Sequence, residues 1–301
     1  MKTIDFKPVQ IIDRKTGKKF HEKIPSIREI YFFYHHPFGK KLLGLMASKM
    51  VSSLGGWFMN QGFSKSRIQA FVSNYKVKME EYIIPQDGFK SFNDFFYRKI
   101  KPEARPILGD ISSPADGRVT VFPRVEDFQP FFVKDKQFTV STFLDSIPLA
   151  ETFAGGSMAI VRLAPVDYHR YHFPFAGVAS ESQKIGGKYY SVSPLALGKS
   201  LTIFLQNKRE YTTVLTDEIG EYLFCDVGAT MTGSIFQTYE AESRVEKGQE
   251  KGYFAFGGST VVLFFQEGTI EFSPDLVKNT QDGFETKVLM GEEIARIKVR
   301  P

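Results

Sequence analysis

A serine in a glycine-rich break is the first residue of this sequence that could do chemistry. Gly257-Gly258-Ser259-Thr260 interrupts an apolar stretch that covers residues 253–265. Because neither glycine carries a side chain, other groups can approach Ser259 closely, and its hydroxyl could attack the neighbouring backbone carbonyl of Gly258. A tight turn or a bulge between two strands is the commoner use of such a run. On the tetrapeptide alone, both interpretations stay open.

Two histidines are the candidate bases for this serine. Three of the five histidines fall in the basic N-terminal region, which leaves His169 and His172 for the rest of the chain. Both lie just after a predicted strand, and a loop position suits a base that must reach a reacting group. Histidines that only satisfy buried hydrogen bonds are the structural alternative.

The spacing of these histidines also matches part of a metal site. H-x-x-H could present two imidazoles to zinc, but a catalytic zinc needs a third protein ligand. No cysteine or further histidine lies nearby, so that ligand would have to be a carboxylate. We therefore predict no metal site.

Asp116 is the candidate acid. It stands in Ser113-Pro114-Ala115-Asp116-Gly117, where Asp-Gly is first of all a turn signal. The proline helps to fix the backbone, so Asp116 could also be a rigidly held carboxylate that orients a histidine.

The elements that must position these residues fall into two parts. Between about residues 26 and 77, apolar residues recur at steps of three and four, which predicts helices, and Ser91 is a candidate cap for a further short helix. After residue 112, short β-branched and aromatic runs alternate with Gly, Pro and Asp, which predicts strands. The predicted strands are residues 119–122, 131–133, 158–163, 201–205, 211–215, 222–227 and 253–265.

The sequence thus predicts an α+β protein, with a helical N-terminal third followed by a mostly antiparallel β-sandwich or distorted-barrel catalytic body. We divide it into a polar basic arm (1–25), a helical membrane-associating region (26–110) and a β-rich catalytic domain (111–301). The single cysteine, Cys225, excludes an intrachain disulfide, and its place in an apolar strand predicts a small core residue.

The charge of the chain is unevenly distributed. The net charge is +5, but residues 1–70 alone hold 13 basic and 4 acidic residues. This asymmetry favours an anionic partner, either a membrane or a nucleic acid. No apolar run is long enough to cross a bilayer and no signal peptide is evident, so we expect a soluble or peripheral protein.

One predicted helical stretch has two interpretations. It could pack on its own domain as an ordinary amphipathic helix, or lie in a membrane interface, where basic residues, bulky apolar residues and a tryptophan are typical. Its apolar positions are Leu43, Met46, Met50, Leu54, Trp57 and Phe58, with Lys40, Lys41 and Lys49 nearby.

Three segments together resemble, in order, the signatures of the phosphatidylserine decarboxylase family. They are residues 113–117, 163–172 and 257–260, and further matches lie at residues 92–98, 191–195 and 227–235. The similarity covers roughly residues 40–270, and the long histidine motif is its most specific part. Gly257 stands where the family often has leucine, although some members carry Gly-Gly-Ser.

The resemblance implies a proenzyme that processes itself. Asp116, His172 and Ser259 would form a charge relay, in which His172 takes the proton of Ser259 and Asp116 fixes the tautomer of the histidine. The Ser259 Oγ would attack the Gly258 carbonyl to give an ester, and elimination would break the chain between these residues. Ser259 would become a covalent pyruvoyl group at the start of a small chain (259–301), which accompanies a large chain (1–258).

The resemblance also implies the mature reaction. The pyruvoyl ketone would form a Schiff base with the amine of phosphatidylserine, and loss of CO2 would leave electrons delocalised into the carbonyl system before phosphatidylethanolamine is released. His169 would contact the substrate carboxylate or handle the proton that replaces CO2.

A bilayer substrate favours the interfacial interpretation of residues 30–60. We therefore expect a peripheral protein on the cytoplasmic face of the cell membrane, bound to anionic lipid and not to nucleic acid, and a homodimer stays open. The alternative function is a membrane-associated serine hydrolase that uses Asp116, His172 and Ser259 without self-cleavage. That alternative expects a nucleophile elbow such as G-x-S-x-G, which is absent around Ser259.

Overall fold

The structure is a computed structural model that describes residues 10–22, 24, 27–127, 139–191, 206–229, 235–255 and 259–298. Five of the eight α-helices in these residues lie between strands β2 and β3, and two more follow strand β4. The helices are α1 (Ile27–His35), α2 (Pro37–Met46), α3 (Lys49–Asn60), α4 (Ser66–Tyr75), α5 (Phe92–Phe96), α6 (Val140–Leu144), α7 (Ile147–Thr152) and α8 (Pro274–Gln281).

Most strands of the described residues lie after residue 110. They are β1 (Gln10–Asp13), β2 (Lys19–His21), β3 (Ile111–Ser112), β4 (Gly117–Phe122), β5 (Ser157–Leu163), β6 (Arg170–His172), β7 (Gly177–Ala179), β8 (Gln183–Ile185), β9 (Arg209–Leu215), β10 (Glu221–Gly228), β11 (Ile235–Gln237), β12 (Ser243–Val245), β13 (Glu250–Phe254), β14 (Ser259–Phe265), β15 (Ile270–Phe272), β16 (Glu285–Val288) and β17 (Glu293–Ile297).

The strands form one large sheet and two small ones. The large sheet has 11 strands in the order β12-β7-β9-β10-β14-β5-β4-β16-β1-β2, with β8 paired to β9. The small sheets have the orders β11-β13-β6 and β15-β17-β3. Every described pair is antiparallel except β1 with β16. The α+β class is confirmed.

Both faces of the large sheet are covered, because its central strands are apolar on both sides. Val261 and Leu263 face a core shared with the two small sheets. Val262 and Phe264 face a second core, which contains residues of α1 and α6. This alternation follows from the two-residue period of a strand. Cys225 is confirmed as a buried residue of the second core.

The strands predicted at residues 119–122, 158–163, 211–215 and 222–227 are confirmed as parts of β4, β5, β9 and β10. The predicted stretch 253–265 is divided between β13 and β14, which lie in different sheets. The predictions at residues 131–133 and 201–205 lie outside the described residues.

The start of the chain also contributes to the large sheet. Strand β1 pairs in parallel with β16, Ile11 is fully buried, and β2 forms the edge of the sheet. The buried Glu22 carboxylate then bridges Arg118 of β4 and Arg162 of β5. Part of the segment expected to be an arm is therefore built into the body of the protein.

The predicted helices between residues 26 and 77 are α1 to α4, and the predicted cap of α5 is present, since Ser91 Oγ accepts a hydrogen bond from the Asp94 amide. Along α2, α3 and the following turn, large apolar side chains are exposed; the most exposed, Met50, is 64% accessible. These side chains, which we call the apolar surface, are Phe38, Leu45, Met50, Leu54, Trp57, Phe58 and Phe63. Among the helices of the described residues, none is long and apolar enough to cross a membrane.

Candidate functional site

Ser259 is the first residue of β14, in the middle of the large sheet. It pairs with Gly228 of β10 on one side and with Leu163 of β5 on the other. By the alternation of the strand its side chain lies on the same face as Val261, toward the small sheets. Ser259 is fully buried, and its Oγ has no hydrogen-bond partner among the described residues. A buried hydroxyl without a partner costs free energy, so its presence calls for a functional explanation.

His172 lies on β6 and is held at both ring nitrogens. Nδ1 lies 3.0 Å from the Gly248 carbonyl oxygen, and Nε2 lies 3.2 Å from the Tyr168 hydroxyl. Because a carbonyl oxygen can only accept, Nδ1 carries the proton, and Nε2 of the neutral ring accepts from Tyr168. This arrangement leaves Nε2 as the basic nitrogen.

Burial lowers the pKa of His172 below its ordinary value, while the Gly248 carbonyl and the charges of Glu250 and Asp116 act in the opposite direction. The net lowering favours the neutral ring near neutral pH. His172 is therefore in the protonation state that a general base requires.

Gly248 can orient the histidine only because it is glycine. Its φ of +82° is rarely adopted by other residues, and a Cβ there would lie 2.6 Å from Ile107 Cγ1. A substitution at this position would move the carbonyl that sets the tautomer of His172.

Asp116 is buried beside β6, but its oxygens are taken by other donors. Oδ1 accepts from Arg105 Nε at 2.9 Å and from the Met290 amide at 2.8 Å, and Oδ2 accepts from Arg105 at 2.7 Å. The neighbouring Pro114 carbonyl accepts from the His172 amide at 2.8 Å, which places the Asp116 turn next to β6. Among the described residues, no hydrogen bond joins Asp116 to His172 or His172 to Ser259. The negative charge of Asp116 is one of the influences that raise the pKa of His172.

The expected Asp-Gly turn serves a second purpose. Gly117 begins β4, and a Cβ there would lie 2.7 Å from Val161 Cγ1 and 2.9 Å from the Arg162 carbonyl oxygen. The glycine thus allows β4 to approach β5 closely, which holds Asp116 rigidly at the start of the strand.

His169 is fully buried at the entry to β6. Its Nδ1 lies 3.0 Å from the Asp167 carbonyl oxygen, and its ring packs on Phe96 with the ring centroids 3.9 Å apart. Its own carbonyl accepts from the Phe254 amide at 2.9 Å, at the end of β13. His169 therefore lies beside the strand that leads toward Ser259.

The turn before the histidines is held by Asp167. Its carboxylate accepts from the Ala164 amide at 2.7 Å and contacts Arg118. Burial raises the pKa of Asp167 to about 6, although Arg118 opposes the shift. This contact anchors the segment that carries His169 and His172.

Sequence reasoning missed four contributors to the site: Tyr168, Gly248, Arg105 and the Met290 amide. Tyr168 lies inside the histidine motif, four residues before His172, but its residue type and spacing indicated no role. Gly248 and Met290 come from distant parts of the chain, while Arg105 lies 11 residues before Asp116, and the sequence holds no local signal for these contacts.

Comparison with known proteins gives the same family along nearly the whole chain. The family model for phosphatidylserine decarboxylase matches residues 92–296. The chain is 42% identical over 299 residues to the phosphatidylserine decarboxylase proenzyme of Fusobacterium nucleatum, covering 98% of this chain and 100% of that protein. It is 44% identical to the proenzyme of Clostridium perfringens strain SM101 over 290 residues (95% and 99% covered). It is 43% identical to that of Chlamydia trachomatis serovar L2 over 289 residues (95% and 96%).

Proposed function

The chain belongs to the phosphatidylserine decarboxylase family, and from this premise we propose that it converts phosphatidylserine to phosphatidylethanolamine and CO2 with a pyruvoyl group made from its own Ser259. It is a decarboxylase, which makes it a lyase. The observation that carries the finer proposal is the buried Ser259 Oγ without a partner at the start of β14.

The residues around Ser259 fit a group formed at that position. An orphaned hydroxyl can leave the side chain without breaking any hydrogen bond to the described residues. Leu163, Gly228 and Val261 surround it on the same face of the sheet, which keeps the position away from bulk water. A pyruvoyl group supplies an electron sink, because its carbonyl system accepts the electron pair that loss of CO2 leaves behind.

Self-processing uses only groups of this chain and water. Ser259 Oγ forms a bond to the Gly258 carbonyl carbon as the peptide C–N bond breaks, which converts the amide to an ester. Loss of the residue 259 α-proton then breaks the Cβ–Oγ bond and releases the Gly258 carboxylate. Water replaces the nitrogen of residue 259, which leaves as ammonia.

His172 is the base for the first step. We assign the proton of Ser259 to His172 Nε2, since the Gly248 carbonyl keeps the proton of the neutral ring on Nδ1. Tyr168 occupies Nε2 in the structure, so the attack requires this nitrogen to exchange the tyrosine hydroxyl for that of Ser259.

Asp116 stabilises the charge that His172 gains. Its carboxylate raises the pKa of the histidine from beside β6, and Arg105 and the Met290 amide fix it in place. A fixed charge in a buried site needs no reorganisation when the imidazolium forms. In this relay Ser259 is the nucleophile, His172 is the base and Asp116 supplies the charge. The Gly248 carbonyl, and not Asp116, orients the histidine ring.

His169 serves the mature reaction. Its ring is fixed by Phe96 and the Asp167 carbonyl, beside the end of β13. We assign it to the substrate carboxylate or to the proton that replaces CO2.

The processed chains stay together. The small chain (259–301) would contain β14, β16 and β17, which pair with β5, β10, β4, β1 and β3 of the large chain (1–258). Cleavage of one peptide bond leaves all these ladders intact. A denaturing measurement is therefore needed to see the break.

The apolar surface is the membrane-binding region. It lies in the basic N-terminal part of the chain, since residues 1–70 contain 13 basic and 4 acidic residues. Such a region suits the cytoplasmic face of the cell membrane, where anionic lipid attracts basic residues by about 1 kcal/mol each.

The test compares wild type with Ser259→Ala and Thr260→Val by denaturing electrophoresis, with phosphatidylserine decarboxylation measured on the same samples. Wild type and Thr260→Val run as two polypeptides, because the Thr260 hydroxyl lies on the opposite face of β14. Ser259→Ala stays whole and inactive. An intact wild-type chain that decarboxylates phosphatidylserine would overturn the pyruvoyl proposal.

A further inference from the structure

A cavity of about 680 Å³ lies between α3 and the sheet body, outside the relay described above. Gly56 and Trp57 of α3 line one wall, and Lys184 and Lys208 line another. Ala255, one residue after β13, also lines the cavity.

The cavity adjoins the catalytic residues through shared elements. Asn93 of α5 and Tyr97, the residue that follows this helix, line the cavity, while Phe96 of α5 packs on His169. The apolar surface lies on the outer side of α3, and Trp57 belongs to both that surface and the cavity wall. A molecule in this cavity therefore lies between the proposed membrane face and His169.

Lys208 lies level with Ser259 across the large sheet. The Gly228 amide donates to the Lys208 carbonyl at 3.0 Å, and Gly228 pairs directly with Ser259. Two strand spacings thus separate the backbones of Lys208 and Ser259, or about 10 Å. The alternation places both side chains on the same face, since Arg209, between Lys208 and Glu210, contacts Phe143 on the opposite face.

The charges on this wall favour an anion. Lys184 lies opposite Glu210 in the β8–β9 ladder, and Lys208 Nζ lies 3.3 Å from Glu210 Oε1. Next to them Lys251 and Asp226 form a buried ion pair, in which Lys251 Nζ lies 2.6 Å from Asp226 Oδ2. This pair has no net charge. Outside that pair, Glu210 is the one carboxylate that the described residues place beside Lys184 and Lys208, so the two lysines exceed it by one positive charge, which an anion would balance.

We propose that Lys184 and Lys208 bind the phosphodiester of the phospholipid substrate in this cavity, with the acyl chains leaving past Gly56 and Trp57 toward the membrane. This inference rests on the proposed function, and it concerns the phosphodiester of the substrate, which the relay does not contact. In the serine headgroup only four bonds separate phosphorus from the amine nitrogen. A phosphate held by Lys208 therefore keeps the amine on the Ser259 side of the same sheet face.

The first test measures KM for dihexanoyl phosphatidylserine below its micellar concentration, so that membrane binding does not enter. Lys208→Met and Lys184→Met are each expected to raise KM about tenfold, the effect of losing one charge-assisted hydrogen bond. Lys188→Met is the control, because this exposed lysine removes the same charge without lining the cavity. Unchanged KM in both cavity variants would overturn the proposal.

The Lys208 variant leaves Glu210 buried beside a methionine, so a Lys208→Met, Glu210→Gln double variant removes both charges. Complete self-cleavage serves as the folding check for each variant. If wild type neither cleaves nor decarboxylates, the proposed function has failed. If wild type does both and the lysine variants match its KM, only the present inference has failed.

A pair of glycine variants tests the path independently. Gly56 and Gly44 are both helical glycines whose added Cβ would meet nothing within 4 Å, but only Gly56 lines the cavity. Gly56→Leu should raise KM at least tenfold with normal self-cleavage, whereas Gly44→Leu should match wild type. Equal KM values for the two variants would place the substrate elsewhere.

Direct binding uses Trp57, the single tryptophan of the chain, as the probe. Dihexanoyl phosphatidylserine titrated into Ser259→Ala protein should change its fluorescence, with a midpoint about tenfold higher when Lys208→Met is added. Competition with inorganic phosphate distinguishes a site for the lipid phosphodiester from a site for free phosphate. Phosphate that competes only far above the lipid midpoint supports a lipid site, and phosphate that competes at or below it overturns the assignment to lipid.

Discussion

Helices α2 and α3 leave large apolar side chains in solvent, whereas the sheet around β14 encloses polar and charged ones. Trp57 is 61% accessible and Leu54 is 60% accessible, while Ser259 and His169 are fully buried. Each region reverses the usual placement of its residue types, and each reversal has a cost. In the proposed function both costs serve one substrate, whose acyl chains need an apolar surface and whose headgroup needs a dry polar site.

The largest expected effect comes from His172→Ala, which disables the buried region alone. Self-cleavage should fall by a factor of about 10³, because the variant removes the base for Ser259. The fraction of intact chain over time, on denaturing gels, measures this rate. Binding to anionic vesicles should not change, and His21→Ala, at an exposed position of β2, should behave like wild type. Cleavage of His172→Ala at the wild-type rate would remove the histidine from the relay.

His169→Ala separates the two reactions within the buried region. The chain should still cleave, but decarboxylation should fall by about 10², because the assigned acid or carboxylate ligand is lost. Release of CO2 from fully cleaved protein gives the rate. Normal decarboxylation by this variant would refute the role assigned to His169.

A triple variant tests the apolar surface by placing serine at Leu54, Trp57 and Phe58. Vesicle binding should weaken at least tenfold, since about 25 cal/mol is lost for each Å² of apolar area no longer buried in lipid. Sedimentation with anionic vesicles measures it, and self-cleavage should be normal. The control replaces exposed apolar residues of the body, Ile147, Val178 and Leu215, by serine. Equal binding by both triple variants would mean that the apolar surface is not the anchor.

The smallest effect concerns pH. Burial lowers the pKa of His172, so the ring is already neutral at neutral pH and loses its basic form only in acid. The self-cleavage rate should therefore change less than about twofold between pH 8 and pH 7, and fall at lower pH as His172 is protonated. Initial rates of freshly refolded protein give the profile. A rate that already falls several-fold between pH 8 and pH 7 would contradict the lowered pKa.

The sequence predicted best where structure depends on local pattern. Strands such as β9 and β14 are rich in β-branched and aromatic residues, and the spacing of Leu54 and Trp57 predicted a helix. The spacing alone left open whether these side chains pack on the domain or lie at a membrane interface. Strands β1 and β2 were missed, because they are short and lie in a polar, basic segment, and because β1 gains its partner, β16, only through pairing across the length of the chain.

The site shows the same limit. Asp116, His172 and Ser259 could be named from motifs, but the contacts that hold them could not. Arg105 reaches Asp116 from a loop, and Gly248 reaches His172 from a turn with positive φ. Such contacts depend on how the loops pack, which cannot be predicted from residue spacing.

The central claim is that Ser259 is consumed to make the cofactor. Intact mass measured under denaturing conditions on wild-type protein that decarboxylates phosphatidylserine tests it most directly. We expect two chains divided before residue 259, the smaller one carrying a pyruvoyl group at its start. One full-length chain with an unmodified serine, in a fully active sample, would contradict it.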